Sequence, residues 1–432
     1  MSDFMFMLDS HLDAGQNRAV TEIQHIATEA GMSVWLTGGA MRDMLRGAPI
    51  RDLDFTVEHD AVKIGKALAA KLGGKVAAED SLKRWVELDL PGATSASVSN
   101  ARTEKYAKFG GKPQIAAAGI HEDLKRRDFT INSIALCLNR GARGLLVDPT
   151  NGQADLSGRE LRSTNSYVFF DDPGRLFRLI RFRHALGFEL APRTRLQFEN
   201  ALLENFHQHV PGTVIAQEIR AMALDQGLPA MLEELDSHGL LAAVSKGLTG
   251  AKLNVAGVDR FEKLMQAVIP PGTQGGTLAF LNVLLEKLTL KERAEALEAF
   301  ALTPADAANM KKLDAKAKKL EAELKATKMQ RPSNVWDALS AVSTNEIMMV
   351  LFHSTARAVQ DRIRAYYDKY MPMALEVSEE AILATGAKPG TPKYDKTRAT
   401  MIAALLNAKP KPVEEVVEPP KQPPMMMGRG RV

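Results

Sequence analysis

The sequence predicts an α+β protein in which a head of mixed sheet and helices is followed by an all-helical remainder. Up to about residue 150, short apolar runs of strand length alternate with turn signals and amphipathic helices; after about residue 190 apolar residues recur only at helical spacing, between P-G and G-L-P breaks. Length agrees, because 432 residues are enough for two to four domains with their own cores. An apolar fraction of 45% and a charged fraction of 25% are those of an ordinary globular chain. With a net charge of +4 and a pI near 8.9, any nucleic-acid surface has to be a local patch and not a global field. The single cysteine, Cys137, lies in an apolar run, which excludes an internal disulfide framework or a cysteine zinc site and suggests a buried thiol in a cytoplasmic protein. Asp3 and Asp9 interrupt the apolar start, and no apolar run reaches spanning length, so no membrane segment is expected.

Taken in order, residues 12–31 have helical spacing and reach Gly31 as a C-cap. Val34–Thr37 reads as a strand, Gly38-Gly39 as a turn, Ala40–Arg46 as a short helix and Asp52–Val57 as a second strand. Ala61–Leu72 reads as an amphipathic helix closed by Gly73-Gly74, and Lys75–Ala78 and Trp85–Leu90 as strands. The polar stretch Gly92–Gln114 reads as a mobile loop. His121–Leu138 reads as a segment with a helix headed by Arg126-Arg127 and N-capped by Asp128; Leu145–Gly158 is turn-rich. Phe170–Phe188 is helical, as are Leu196–Leu203, 214–224 and Leu228–Leu241. Residues 245–275 are glycine-rich and irregular, and Leu278–Tyr370 holds several helices, including a lysine-rich one over Ala305–Lys328. Its lysines alternate with Asp314, Glu321 and Glu323, which describes a solvated face, with RNA backbone contact as the second reading.

Two stretches carry candidate chemistry. Asp52 and Asp54 are two apart in a strand, so both carboxylates share one face while Leu53, Phe55 and Val57 turn to the core. Such a hard-oxygen pair suits Mg2+, which takes one or two carboxylates plus substrate phosphates. Gly38-Gly39 lets backbone approach a phosphate at a helix N-terminus. Farther on, Arg175, Arg178 and Arg181 recur every three residues and form a basic stripe on one helix face.

In combination, G-G-x-x-R-D (Gly38 to Asp43), R-D-x-D-F (Arg51 to Phe55) and R-R-D-F-T-I-N (Arg126 to Asn132) resemble the head of the class II nucleotidyltransferases. That branch of the DNA polymerase beta superfamily holds the tRNA CCA-adding enzymes and the bacterial poly(A) polymerases. D-D-x-x-R (Asp171 to Arg175) resembles the family's E-D-x-x-R, with Asp171 in place of glutamate. The resemblance covers about Val34–Phe188 and fades beyond, where Val214 stands in the place of a usual arginine. It implies Asp52 and Asp54 as catalytic metal ligands for Mg2+. It also implies a nucleotide-binding set of Gly38, Gly39, Arg42, Arg127 (triphosphate), Asp128 (ribose), Asn132, Asp172 and Arg175 (base), and Arg178 and Arg181 (phosphates). The family's additional acid falls at Ser97 here, leaving open whether Glu104 replaces it or two aspartates suffice.

The resemblance further implies residues 1–150 as head, 151–225 as neck, 226–375 as body and 376–408 as an RNA-contacting tail, while the proline, glutamate and methionine composition of 409–432 predicts disorder. Partners would be a tRNA 3′ end with CTP and ATP as substrates; the oligomeric state is unknown. The expected activity is template-independent addition of C and A, with poly(A) synthesis, CC-only or A-only addition, and an inactive RNA-binding relative as alternatives.

Overall fold

Val34–Thr37 (β1) and Asp52–Val57 (β2) form the antiparallel centre of a seven-stranded mixed sheet in the computed structural model, which describes residues 4–408 apart from 93, 224, 271, 272, 274 and 301. The expected disorder of 409–432 lies outside the described residues. Before the sheet come α1 (Phe4–His11) and α2 (Ala14–Glu29). A reciprocal capping box between Asp13 and Gln16 starts α2, and Gly31, at φ +64°, follows its end. The glycine pair opens α3 (Gly38–Leu45), and α4 (Ala61–Leu72) packs on the sheet. Gly65 of α4 allows that approach, since a Cβ there would stand 2.3 Å from Val86 Cγ2.

The remaining sheet strands are β3 (Lys75–Asp80), β4 (Trp85–Leu90), β5 (Thr94–Asn100), β8 (Ala135–Cys137) and β9 (Leu146–Val147), in the order β3-β4-β5-β2-β1-β8-β9. The β2–β5 pair is parallel and the others are antiparallel, so the sheet is mixed. A separate hairpin pairs β6 (Arg102–Lys105) with β7 (Gln114–Ala117). The stretch expected as a loop over Gly92–Gln114 therefore contains β5, next to the Asp-bearing strand. Its residues T-S-A-S-V-S-N alternate buried and half-buried, but they are too small and polar to announce a strand.

A second correction concerns Asp128. Helix α5 (Ile120–Lys125) ends at Arg126, so the arginine pair closes a helix where the sequence suggested that it opened one. Asp128 is followed by a single 3₁₀ turn, Thr130–Asn132, and then by β8. Cys137 is buried in β8, and burial pushes its thiol pKa up.

Beyond α6 (Gly152–Gly158) and the short parallel pair β10 (Glu160–Leu161) and β11 (Glu189–Leu190), the chain is helical. The elements are α7 (Val168–Asp171), α8 (Arg175–Leu186), α9 (Pro192–Leu203), α10 (Gly212–Met222), α11 (Leu228–Ser237), α12 (Val255–Val268), α13 (Thr277–Leu284) and α14 (Leu290–Ala299). They continue as α15 (Pro304–Lys325), α16 (Pro332–Ser340), α17 (Thr344–His353), α18 (Arg357–Ala365), α19 (Met371–Leu375), α20 (Glu379–Leu383) and α21 (Pro392–Asn407). Helix α12 corrects the expectation of irregular structure over 245–275: Asn254 caps it, and Val258, Phe261 and Val268 are buried. Among the described residues, no helix is long and apolar enough to cross a membrane.

Candidate active site

β2 presents Asp52 and Asp54 outward over a buried layer of Leu53, Phe55 and Val57. Asp52 is exposed and Asp54 half-buried. One Asp54 oxygen accepts from Ser97 Oγ at 2.8 Å and the other from the Gly39 N–H at 3.3 Å. The first-turn N–H of α3 is thus directed at Asp54, where the sequence suggested a substrate phosphate. Gly38 is required twice over: its φ is +65°, and a Cβ would stand 3.0 Å from Asp54 Oδ2 and 3.4 Å from Arg127 Nη1. Burial pushes the Asp54 pKa up and the charge of Asp52 adds to it; the Ser97 bond, Arg127 and the Gly39 N–H oppose the shift without cancelling it.

Among the described residues, no basic side chain forms an ion pair with Asp52 or Asp54. A partly enclosed carboxylate held close to a second one, without a basic partner, is what a divalent cation would relieve, so the pair fits the expected metal. No group of three His, Cys, Asp or Glu side chains among the described residues could hold a metal alone. Its remaining ligands would therefore be substrate oxygens and water, as Mg2+ prefers.

Sheet register adds an acid that the sequence reading missed. Asp54 lies opposite Ser97 of β5, and Ser97 opposite Glu87 of β4, so the three share a row and a face. Glu87 is exposed, and its pKa is pushed up first by partial burial, then by Asp89, Asp52 and Asp54. Glu104 belongs to the separate β6–β7 hairpin and not to this row. It is bonded to Arg102 Nε at 2.8 Å, Tyr106 Oη at 2.9 Å and Arg126 Nη1 at 3.2 Å. Burial alone would raise its pKa, but Arg126 and Arg102 outweigh that and lower it.

Arg127 reaches from the end of α5 to the mouth of the glycine turn. It donates to Asp123 Oδ2 at 2.8 Å, Thr56 Oγ1 at 3.0 Å, Thr37 Oγ1 at 3.2 Å and the Asn132 carbonyl at 3.3 Å. Asp123, fully buried and unmarked in the sequence reading, also binds Arg126 at 2.6 Å and so orients both arginines. Asp128 and Asn132 do meet, at 3.1 Å, through the 3₁₀ turn. Arg42 is 4% exposed, donates to both Asp43 oxygens and to Asn132 Oδ1 at 2.9 Å, and lies over the Phe182 ring. The enclosed Arg42 thus holds Asn132 in place.

The α8 stripe divides in three. Asp172 is the most open of the group; it accepts from the Gly174 N–H at 3.0 Å and lies 3.7 Å from Arg175 Nε. Arg175 is buried and donates to the Arg126 and Val168 carbonyls, tying α8 to both. Arg178 donates to Asp128 at 3.0 Å and Glu218 at 3.2 Å, whereas Arg181 donates to Glu218 and Asp225, each at 3.0 Å. Arg51 joins the far side of Asp225 at 3.0 Å. Arg181 is thus engaged in an ion chain linking head to helices, while Arg178 retains partial exposure. For Asp128, burial is the largest influence and raises the pKa, but Arg178, Arg175 and the Asn132 bond together lower it. Glu218 escaped the sequence reading, although a carboxylate on the apolar face of V-I-A-Q-E-I was the available signal.

Residues 34–162 match the family described as the poly A polymerase head domain. The A-adding tRNA nucleotidyltransferase of Halalkalibacterium halodurans is 36% identical over 196 residues, 45% of each chain. The CC-adding tRNA nucleotidyltransferase of Deinococcus radiodurans is 34% identical over 167 residues, 39% of this chain and 44% of that one. The matched stretch thus spans less than half the length of these curated relatives. The Thermotoga maritima CCA-adding enzyme, solved in complex with tRNA, has the same fold, with a TM-score of 0.52, 21% identity and 96% of both chains covered.

Proposed function

We propose that this chain, whose residues 34–162 match the poly A polymerase head domain, transfers nucleotides from CTP and ATP to the 3′ end of tRNA. The observation that carries the reading is the meeting of Asp52 and Asp54 with Gly38 and Arg127 where β1 ends and β2 begins, with the helix that follows Asp172 tied to the Arg126 carbonyl through Arg175. In the reaction the RNA 3′-hydroxyl attacks the α-phosphate, a new P–O bond forms, the bond to the bridging oxygen of the β-phosphate breaks, and pyrophosphate leaves. A divalent cation held by Asp52 and Asp54 would neutralise charge on the attacking and leaving oxygens. Arg127, positioned by Asp123, offers its guanidinium to the triphosphate, and Asp128 and Asn132 lie within its reach for the ribose. The protein's contribution is positioning and fixed charge.

Base choice falls to Asp172 and Arg175. Cytosine and adenine each present an amino donor beside a ring acceptor, which a carboxylate and a guanidinium complement, while uracil and guanine reverse that pattern. Asp172→Ala is expected to change the preference among CTP, ATP and UTP by about tenfold or more with little effect on melting. Identical preferences in the variant would contradict this reading. Arg175→Ala is the poorer probe, since its backbone bonds also hold α8.

Glu87 supplies negative charge on the same face as the aspartates. Glu87→Gln should lower turnover about tenfold or more, with CTP affinity unchanged; full turnover would mean that two aspartates suffice. The H. halodurans relative favours a second reading, addition of A alone. Supplying one nucleotide at a time separates the two. Incorporation of CTP onto tRNA lacking its last three nucleotides supports C and A addition, whereas incorporation of ATP only, onto tRNA ending in CC, supports the second.

A further inference from the structure

We propose that the outer face of α15 is a binding surface for the sugar–phosphate backbone of RNA; the choice of RNA rests on the function proposed above. Met310, Leu313, Ala317, Leu320 and Leu324 bury one side of this 22-residue helix. At 100° per residue, Lys311 and Lys318 form one row on the opposite side and Lys312 and Lys319 a second, with the exposed Ala315 between them. The four lysines are exposed, and among the described residues none has an ion-pair partner.

The acids that made this run look self-neutralised are engaged elsewhere. Asp306 joins the Thr303 cap, and Asp314 accepts from Asn282 at 2.7 Å. Glu321 pairs with Lys325 at 2.8 Å, Glu323 with Lys328 at 3.0 Å, and Lys316 turns to Glu346 at 3.3 Å. Folding therefore sorts the charges, leaving four positive groups together on a protein of net charge +4. Within each row the repeat is seven residues, about 10.5 Å along the axis, so each ammonium can meet a separate phosphate. With no planar hydrogen-bonding group among them, the lysines suit backbone contact and not base reading.

The test compares the full chain with the variant carrying Lys311→Gln, Lys312→Gln, Lys318→Gln and Lys319→Gln, measuring binding to tRNA lacking CCA over a salt series. The expected result is weaker binding, with the slope of log K against log salt reduced by about three to four, since each neutralised phosphate contributes about 0.9. The matching Lys→Arg variant should restore the slope. CTP affinity and melting should be unchanged, which excludes general damage to the fold. An unaltered slope overturns the assignment, as does equal binding of the Gln and Arg variants. If the wild type binds RNA through these lysines yet adds no nucleotide, the surface stands and the proposed function falls.

Discussion

Asp52→Ala is expected to lower nucleotidyl transfer by about 10³-fold or more, because losing half of the only carboxylate pair on β2 removes several kcal/mol of transition-state charge stabilisation. Asp52 is the better target of the two. It is exposed and, among the described residues, its side chain has no hydrogen-bond or ion-pair partner, so its loss leaves the sheet intact, whereas Asp54 is tied to Ser97 and Gly39. The variant should melt with the wild type and bind tRNA with the same affinity. Wild-type turnover in this variant would remove β2 from the active site.

The second large effect is on stability. Glu218 lies buried between Arg178 and Arg181, so Glu218→Ala leaves Arg178 with Asp128 as its one carboxylate and Arg181 with Asp225 as its one carboxylate. Because each arginine keeps one carboxylate and Arg178 is partly exposed, the cost should fall below the about 3–5 kcal/mol of a fully broken buried pair, and melting should fall by roughly 2–4 °C, at about 2.1 cal/mol/K of unfolding entropy per residue. Because Arg178 also holds Asp128, CTP binding should weaken in the same variant. A fall in melting without any loss of CTP binding would mean that the ion chain braces the helices but does not set the nucleotide site.

How much of this was legible beforehand depended on the physics of each part. β1, β2 and α4 announced themselves through apolar periodicity, and the aspartate pair through its two-residue spacing on a strand. The strand beside them, β5, stayed hidden because serine and alanine satisfy a pleated surface without the branched side chains that signal one. Glu87 was invisible for a related reason: only the register of β2, β5 and β4 brings it into the row of Asp54. The arginine stripe was seen, but its partners were not, since Glu218 and Asp225 come from 37 and 44 residues beyond Arg181. Asp123 belongs to the same class, a buried acid whose meaning depends on two arginines brought to it by the end of a helix.

Nucleotide transfer is read out by incubating the purified chain with Mg2+, CTP and ATP and with tRNAs ending before CCA, after C and after CC, then sequencing the 3′ ends. All three should acquire a complete CCA end, with addition stopping there. Long A tails on unrelated RNA, or no extension of any of the three, would contradict the proposed function.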